Sequence, residues 1–295
     1  MPIKPFKSYQ DQISLLETRG LNVPDYHLAS DFLKHHNYYR VSAYRFPFQS
    51  APDQFTAGTT FEDLCTLYRF DSGLRLLVGE ACKALEISVR ARWAHILGEK
   101  HGELAYEDPT FFRNAQLHTQ QLASIDREID RSHEVFIQHF QNTHNMPRPP
   151  IWAVCEVMSF GLLSRFYANI RQSSTRKKIS KTYELSVSGL ESLLLHASYL
   201  RNLCAHHSRL WNRAFTITVS LPNRQPPLLL PALNTDPTAE RKIYNSLVLL
   251  AHVMNIVSPG SDWQHRLKAH LLNLNRPDHS EMAFPADWQT LDFWS

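Results

Sequence analysis

The feature that most limits how this chain can fold is an apolar repeat of helical period that starts near Thr60 and continues with little interruption to about Gly98. Thr60 and Asp63, three positions apart, read as the capping box that opens it. Further helices are legible around it. Ser8, with Phe6 as its hydrophobic staple, opens a short one that ends before Gly20. A second runs from Asp25 to about His36. Thr110 starts another that reaches about Gln141, and Met146-Pro147-Arg148-Pro149-Pro150 then ends it, because consecutive prolines cannot continue a helix. Ile151 to Ile170 is strongly apolar, with Ser159-Phe160-Gly161 in its middle, and reads as the central helix of a bundle. A glycine at such a place often marks close helix approach. Asp236, with Pro237 in the first helical position, caps a helix to about Val257, and Ser261 caps one reaching Leu274. Phe215–Val219 alternates like a strand but has no partner, and Pro222, Pro226, Pro227 and Pro231 make the next segment an extended loop. The tail, Asn275–Ser295, carries Phe284, Trp288, Phe293 and Trp294, which are costly to leave in water and should pack on the body or on a partner chain. The expected fold is all-α, one helical bundle.

A chain of 295 residues can form one large domain or two modest ones. Its 43% apolar and 20% charged residues describe a soluble globular protein. A net charge of only +3 means that any affinity for nucleic acid must come from a local patch. Sixteen histidines make charge and binding sensitive to mild acidification. Cys65, Cys82, Cys155 and Cys204 show no close pairing, and three of them fall in apolar helical patterns, which suits buried thiols in a reducing cytoplasm. Met1-Pro2-Ile3-Lys4-Pro5 lacks the apolar run of a signal peptide, and no apolar stretch approaches the roughly 20 residues that span a bilayer. The expectation is a cytoplasmic protein without a membrane partner.

The chemistry concentrates in Leu200–Arg213, fourteen residues that hold two histidines, three arginines and two asparagines. Ser188 and Glu191 form a capping box, so the helix that carries them is expected to open at Gly189. Leu190, Leu193, Leu194, Ala197, Leu200, Cys204 and Trp211 recur on its buried side. Asn202, His206, Arg209 and Arg213 then fall along one ridge. Arg201 projects from the flank, about 140° from His206 and about 7.5 Å lower along the axis. The two groups do not share a face. Either the helix is distorted there or a second copy of the chain completes the site, and the second reading is adopted. Leu195 and Tyr199, on the same ridge, would form part of that contact.

An imidazole takes and returns protons near neutral pH, arginine grips phosphate through two parallel hydrogen bonds, and asparagine both donates and accepts. Together they suit cleavage of an RNA phosphodiester by its own 2′-hydroxyl, which needs a base, an acid and positive charge at the phosphate but no metal. His207 points back toward the apolar side. No second ligand pair with finger-like spacing joins Cys204, His206 and His207, so no metal site and no cofactor are expected. Arg171, Arg176, Lys177, Lys178 and Lys181 form the densest basic run, expected to start as a loop. It is either a phosphate track or a solvated surface. Tyr38–Phe48 is either a base-stacking platform or an aromatic hinge. Asp71 with Arg75, and Glu86 with Arg90, are i, i+4 pairs that on an exposed face contribute roughly 0.3–0.5 kcal/mol each. Glu86 would instead orient Arg201 or tune His206 if its face met the Arg201 helix.

The run Arg201-Asn202-Leu203-Cys204-Ala205-His206-His207-Ser208-Arg209-Leu210-Trp211-Asn212-Arg213 resembles the signature of bacterial abortive-infection (Abi-like, AbiD/AbiF type) proteins of the HEPN superfamily, in which an arginine, usually followed by a polar residue, precedes a histidine by four to six intervening positions. Asn37-Tyr38-Tyr39-Arg40, Ala43–Phe48, Tyr68-Arg69-Phe70-Asp71 with Leu74-Arg75, Glu86–Arg90, Trp152–Gly161 and Phe284–Trp288 resemble the same family, in the expected order. The resemblance implies a HEPN-like helical bundle with additional N-terminal helices and a C-terminal helical and tail extension. It also implies a homodimer and metal-independent ribonuclease activity in defence against phage, although some superfamily members bind RNA without cutting it.

The reading is one Abi-like domain over residues 1–295, a segment 1–55 packed on a core 56–295. Its function is that of a metal-independent endoribonuclease in which His206 is the general acid/base, Arg201 steadies the phosphate and Asn202 positions the substrate or His206. Arg209, Arg213, Arg176, Lys177 and Lys178 contact RNA, with Glu86 and His207 behind them. The rivals are a non-cleaving RNA-binding or sensing module and a purely structural or antitoxin-like dimer. A regulatory small RNA or an inhibitor protein would be a further partner.

Overall fold

Thr60 does cap the long helix. Its side chain accepts from the Asp63 N–H while Asp63 reaches back to the Thr60 N–H, a complete capping box. The helix ends at His101, where Gly102 takes a φ of +88° that favours glycine and its N–H bonds to the Gly98 carbonyl. The computed structural model describes residues 5–224, 226–274 and 279–295. The first four residues and residues 275–278, where the tail was expected to begin, lie outside the described part.

In chain order the helices are α1 (Tyr9–Thr18), α2 (Tyr26–His35), α3 (Tyr38–Ser42), α4 (Phe61–His101), α5 (Ala115–Arg131), α6 (Val135–His144), α7 (Ile151–Val157), α8 (Phe160–Asn169), α9 (Ser173–Lys181), α10 (Val187–Ala205), α11 (Tyr244–Val257) and α12 (Trp263–Leu272). A small antiparallel hairpin, β1 (Gln49–Ala51) and β2 (Gln54–Phe55), is the one sheet among the described residues. The fold is all-α, as expected. None of these helices is long and apolar enough to cross a membrane.

The centre of the bundle is α4, about 60 Å long at 1.5 Å per residue, rather than the expected Ile151–Ile170 helix. It is packed by α7, α9, α10, α11 and α12. Its Leu74, Val78, Cys82, Leu85, Val89 and Trp93 are fully buried, each large apolar one contributing roughly 1.5–3 kcal/mol. The predicted Ile151–Ile170 helix is broken. Met158 is extended, and the Ser159 side chain accepts from Leu162 N–H to start α8. Gly161 marks no close helix approach, since the nearest atom to a Cβ built there is Arg165 Nη1 at 3.6 Å.

Other expectations shift by a cap or a break. The helix expected from Thr110 begins at Ala115, capped by Asn114, and divides at residues 132–134 into α5 and α6. The basic run is itself helical, as α9. Ser8 caps α1 as expected, but Phe6 is 93% exposed and staples nothing. Phe215–Val219 forms no strand. The helix expected from Asp236 gives one 3-10 turn there, and α11 starts only at Tyr244. Phe284, Trp288 and Trp294 are buried against the body, as the cost of wetting them requires.

Candidate functional site

The motif helix is α10, and the structure moves both its ends. Its cap is Ser186, whose side chain accepts from the Gly189 N–H, not Ser188. Glu191 does not fold back as a capping-box partner; its carboxylate meets Arg176 and Arg113 at 3.4 and 3.7 Å. The helix stops at Ala205, with His206 as its C-cap and His207 in the left-handed region at φ +54°. The expected ridge Asn202–His206–Arg209–Arg213 therefore does not form. Arg209 and Arg213 belong to an irregular segment that turns away.

Asp71 of α4 holds that segment. Its buried carboxylate accepts from the Leu210 N–H at 3.0 Å and the Trp211 N–H at 2.7 Å, from Tyr44 Oη–H at 2.6 Å and from Arg75. Asp71 and Arg75 are thus no solvated pair: both are buried. Four donors on one carboxylate offset its desolvation and fix where the chain emerges from α10. Burial and the Asp71 charge push the Tyr44 hydroxyl well above its ordinary range. Arg209 donates to the Ala43 carbonyl at 2.7 Å and lies over the Trp211 ring. Arg213 is half-buried beside Tyr199. Burial pushes the Cys204 thiol up to about 12, so it is a packed thiol. His207, expected to pack inward, is exposed, and its carbonyl accepts from Arg40 at 2.6 Å.

Arg201 and Glu86 do meet. The helices α4 and α10 run antiparallel, with Glu86 beside Arg201 and Gly79, two turns back, beside Cys204. Arg201 Nε lies 3.6 Å from Glu86 Oε2, and Arg201 Nη1 donates to Asn202 Oδ1 at 3.2 Å. Glu86 is buried and is held from its other side by Arg90. Arg90 in turn donates to the Glu156 carbonyl at 2.9 Å and the Met158 carbonyl at 2.7 Å. Those carbonyls are free because α7 ends there, and the last carbonyls of a helix have no partner within it. The break after α7 thus fixes Arg90, Arg90 fixes Glu86, and Glu86 fixes Arg201. Arg90 and the break carried no functional expectation, although both lie in segments that resemble the family.

His206 and Asn202 are exposed at the end of α10, one turn apart. The end of α10 thus offers an anchored guanidinium, an exposed amide and an exposed imidazole, which can bind an anion and exchange a proton beside it. The basic helix α9 is elsewhere. Arg176 pairs with Glu191 at the start of α10 and Lys178 with Glu99 at 2.6 Å, while Lys177 is exposed. Fifteen residues of helix, about 22 Å, separate Glu191 from His206.

A family model described as Abi-like protein matches residues 31–212, which runs from the middle of α2 to the segment held by Asp71 and leaves out the Phe284–Trp288 tail. No curated protein and no solved structure matches the chain. The match spans well over half of the sequence: this chain belongs to the Abi-like protein family.

Proposed function

We propose that the chain serves an abortive-infection system against phage as a metal-independent endoribonuclease of the HEPN kind, acting as a homodimer. The observation that carries this reading is the division of labour at the end of α10. Arg201 is fixed on buried Glu86, whereas His206, five positions on, is free in solvent.

In the proposed reaction the ribose 2′-hydroxyl loses its proton to one His206 and attacks the adjacent phosphorus. The bond to the leaving 5′-oxygen breaks, and a protonated His206 supplies that oxygen with a proton. Arg201 balances the charge that grows on the phosphate, and Asn202 holds the substrate against it. One His206 can take the first proton and return it to the 5′-oxygen while Arg201 reaches the phosphate from the partner across a two-fold axis, which gives the dimer two such sites. Leu195 and Ile87, about half-exposed on the two helices that carry the site, supply apolar surface for that contact. With α9 some 20 Å from His206, Arg176, Lys177 and Lys178 would hold RNA that flanks the cut. Arg209 and Arg213, turned toward Ala43 and Tyr199, would shape the site more than grip the strand.

The test is cleavage of RNA by purified protein in EDTA. Cleavage that persists under chelation, and falls by about a hundred-fold or more in His206→Ala with RNA binding retained, is the expected result. Binding without cleavage by the unsubstituted chain would make it a sensing module instead.

A further inference from the structure

Helix α3 is used on two sides. Toward α10, Arg40 donates to the His207 carbonyl, and the Ala43 carbonyl accepts from Arg209. On the other side, Tyr38 and Tyr39 line an open groove of about 660 Å³ formed with α1 and α2. Phe6, Tyr9, Lys7 and Lys34 line it too. Tyr39 is 70% exposed, Tyr9 43% and Phe6 93%, so three rings stand in water within one concavity, at a cost that burial under a ligand would recover.

The charge of the groove selects among ligands. Lys7 and Lys34 make no ion pair among the described residues, and Arg19 and Arg45 share a single acid, Asp53, at 3.2 and 3.1 Å. Four cations face one carboxylate. An apolar protein surface seated here would strand those cations, whereas a polyanion pairs with them. Exposed ring faces beside cations suit unpaired bases on a phosphate backbone, because every base has a face to stack and a duplex keeps its faces covered.

We propose that this groove binds single-stranded RNA. Bases stack on Tyr39 and its neighbouring rings, Lys7 and Lys34 take phosphates, and α3 passes the strand on toward His206. The proposal rests on the RNA-directed reading of the α10 end and adds the strand's approach to the site. It also resolves the two roles open for the Tyr38–Phe48 segment. Tyr44, bonded to Asp71, is the buried hinge, while Tyr39 is the platform.

The measurement is fluorescence anisotropy of a short labelled single-stranded oligoribonucleotide on the His206→Ala protein in EDTA, so that the probe survives. Added Tyr39→Ala is expected to weaken binding roughly ten-fold or more, with Tyr39→Phe close to the parent because the ring remains. Lys7→Ala with Lys34→Ala should weaken binding and flatten its salt dependence. A duplex of the same sequence should not compete. Tyr39 is largely exposed, so unchanged melting temperatures are expected to accompany these losses. Unchanged RNA affinity in both the Tyr39→Ala and the double lysine variant overturns the groove and leaves the ribonuclease reading standing. So does a weakened dimer with RNA affinity intact, which would make the groove a protein contact. Equal competition by duplex overturns the single-strand assignment. Failure of the His206→Ala protein to bind RNA overturns the groove, and cleavage by the unsubstituted chain then decides whether the ribonuclease reading falls with it.

Discussion

Glu86 is the residue on which the proposed site turns, because its buried carboxylate joins two arginines with different duties. Arg90 is anchored by carbonyls at the break between α7 and α8, and Arg201 is presented at the surface. Glu86→Gln keeps the volume but removes the negative charge that pairs with both guanidiniums and turns one acceptor oxygen into an amide donor. With the ribonuclease reading, kcat should fall roughly five- to ten-fold with the KM for RNA little changed, since Glu86 positions Arg201 and does not touch substrate. An equal loss in kcat and in melting temperature-corrected folded fraction would reduce Glu86 to a packing role. His196, in the middle of α10, makes a prediction about stability. Its Nδ1 faces the Ile217 carbonyl at 2.7 Å and so carries the proton, and its Nε2 faces Ser246 Oγ at 2.7 Å. Burial pushes this imidazole down to about 4, and the unfolded chain therefore binds its proton first as the pH falls. Stability should be unaffected above about pH 6.5 and fall between there and about pH 4, by roughly 3 kcal/mol in all from this one group. Urea midpoints at pH 7 and pH 5 measure it, and His196→Gln should flatten the difference.

At the scale of elements, α4 carries glycines that differ in what they allow. A Cβ at Gly73 would lie 2.5 Å from Cε1 of His270, a ring stacked on Phe70 and bonded to the Phe70 carbonyl at 2.9 Å. A Cβ at Gly79 would lie 3.8 Å from the Cys204 Cβ, an ordinary contact. Alanine in a helix is worth about 1 kcal/mol over glycine when nothing opposes it. Gly79→Ala should therefore stabilise the protein by up to about 1 kcal/mol, whereas Gly73→Ala should destabilise it by about 1–3 kcal/mol through the displaced ring. Thermal melts of the two variants read the contrast directly. A drop for both would mean that α4 and α10 sit closer at Gly79 than this packing gives.

For the whole molecule, the proposed dimer makes a prediction that a single chain cannot. If Arg201 of one protomer serves His206 of the other, Arg201→Ala and His206→Ala proteins are each inactive, yet mixed dimers regain one intact site. Exchanging equal amounts should restore about a quarter of the parent's activity, since about half the dimers are mixed and each has one good site of two. No recovery after confirmed subunit exchange would place both groups of the site in one chain.

The residues themselves determined the all-α fold and much of its punctuation. Thr60, Ser8 and Asp25 satisfy backbone donors within four residues, so their capping is local and legible. The tail aromatics were legible as buried because the cost of wetting them does not depend on what covers them. The pairing of Glu86 with Arg201 stood open in the sequence, since it depends on which face of α4 meets α10. Tertiary structure alone decided where α10 ends. Leu200, Cys204 and Trp211 keep helical spacing in the sequence, but burial asks only that a side chain be apolar, not that its backbone be helical. Trp211 is buried because Asp71, 140 positions earlier, takes its N–H and that of Leu210. A pattern of period 3.6 has no access to such a partner. The end of the helix, and with it the exposure of His206, was settled by a carboxylate that only the folded chain brings near.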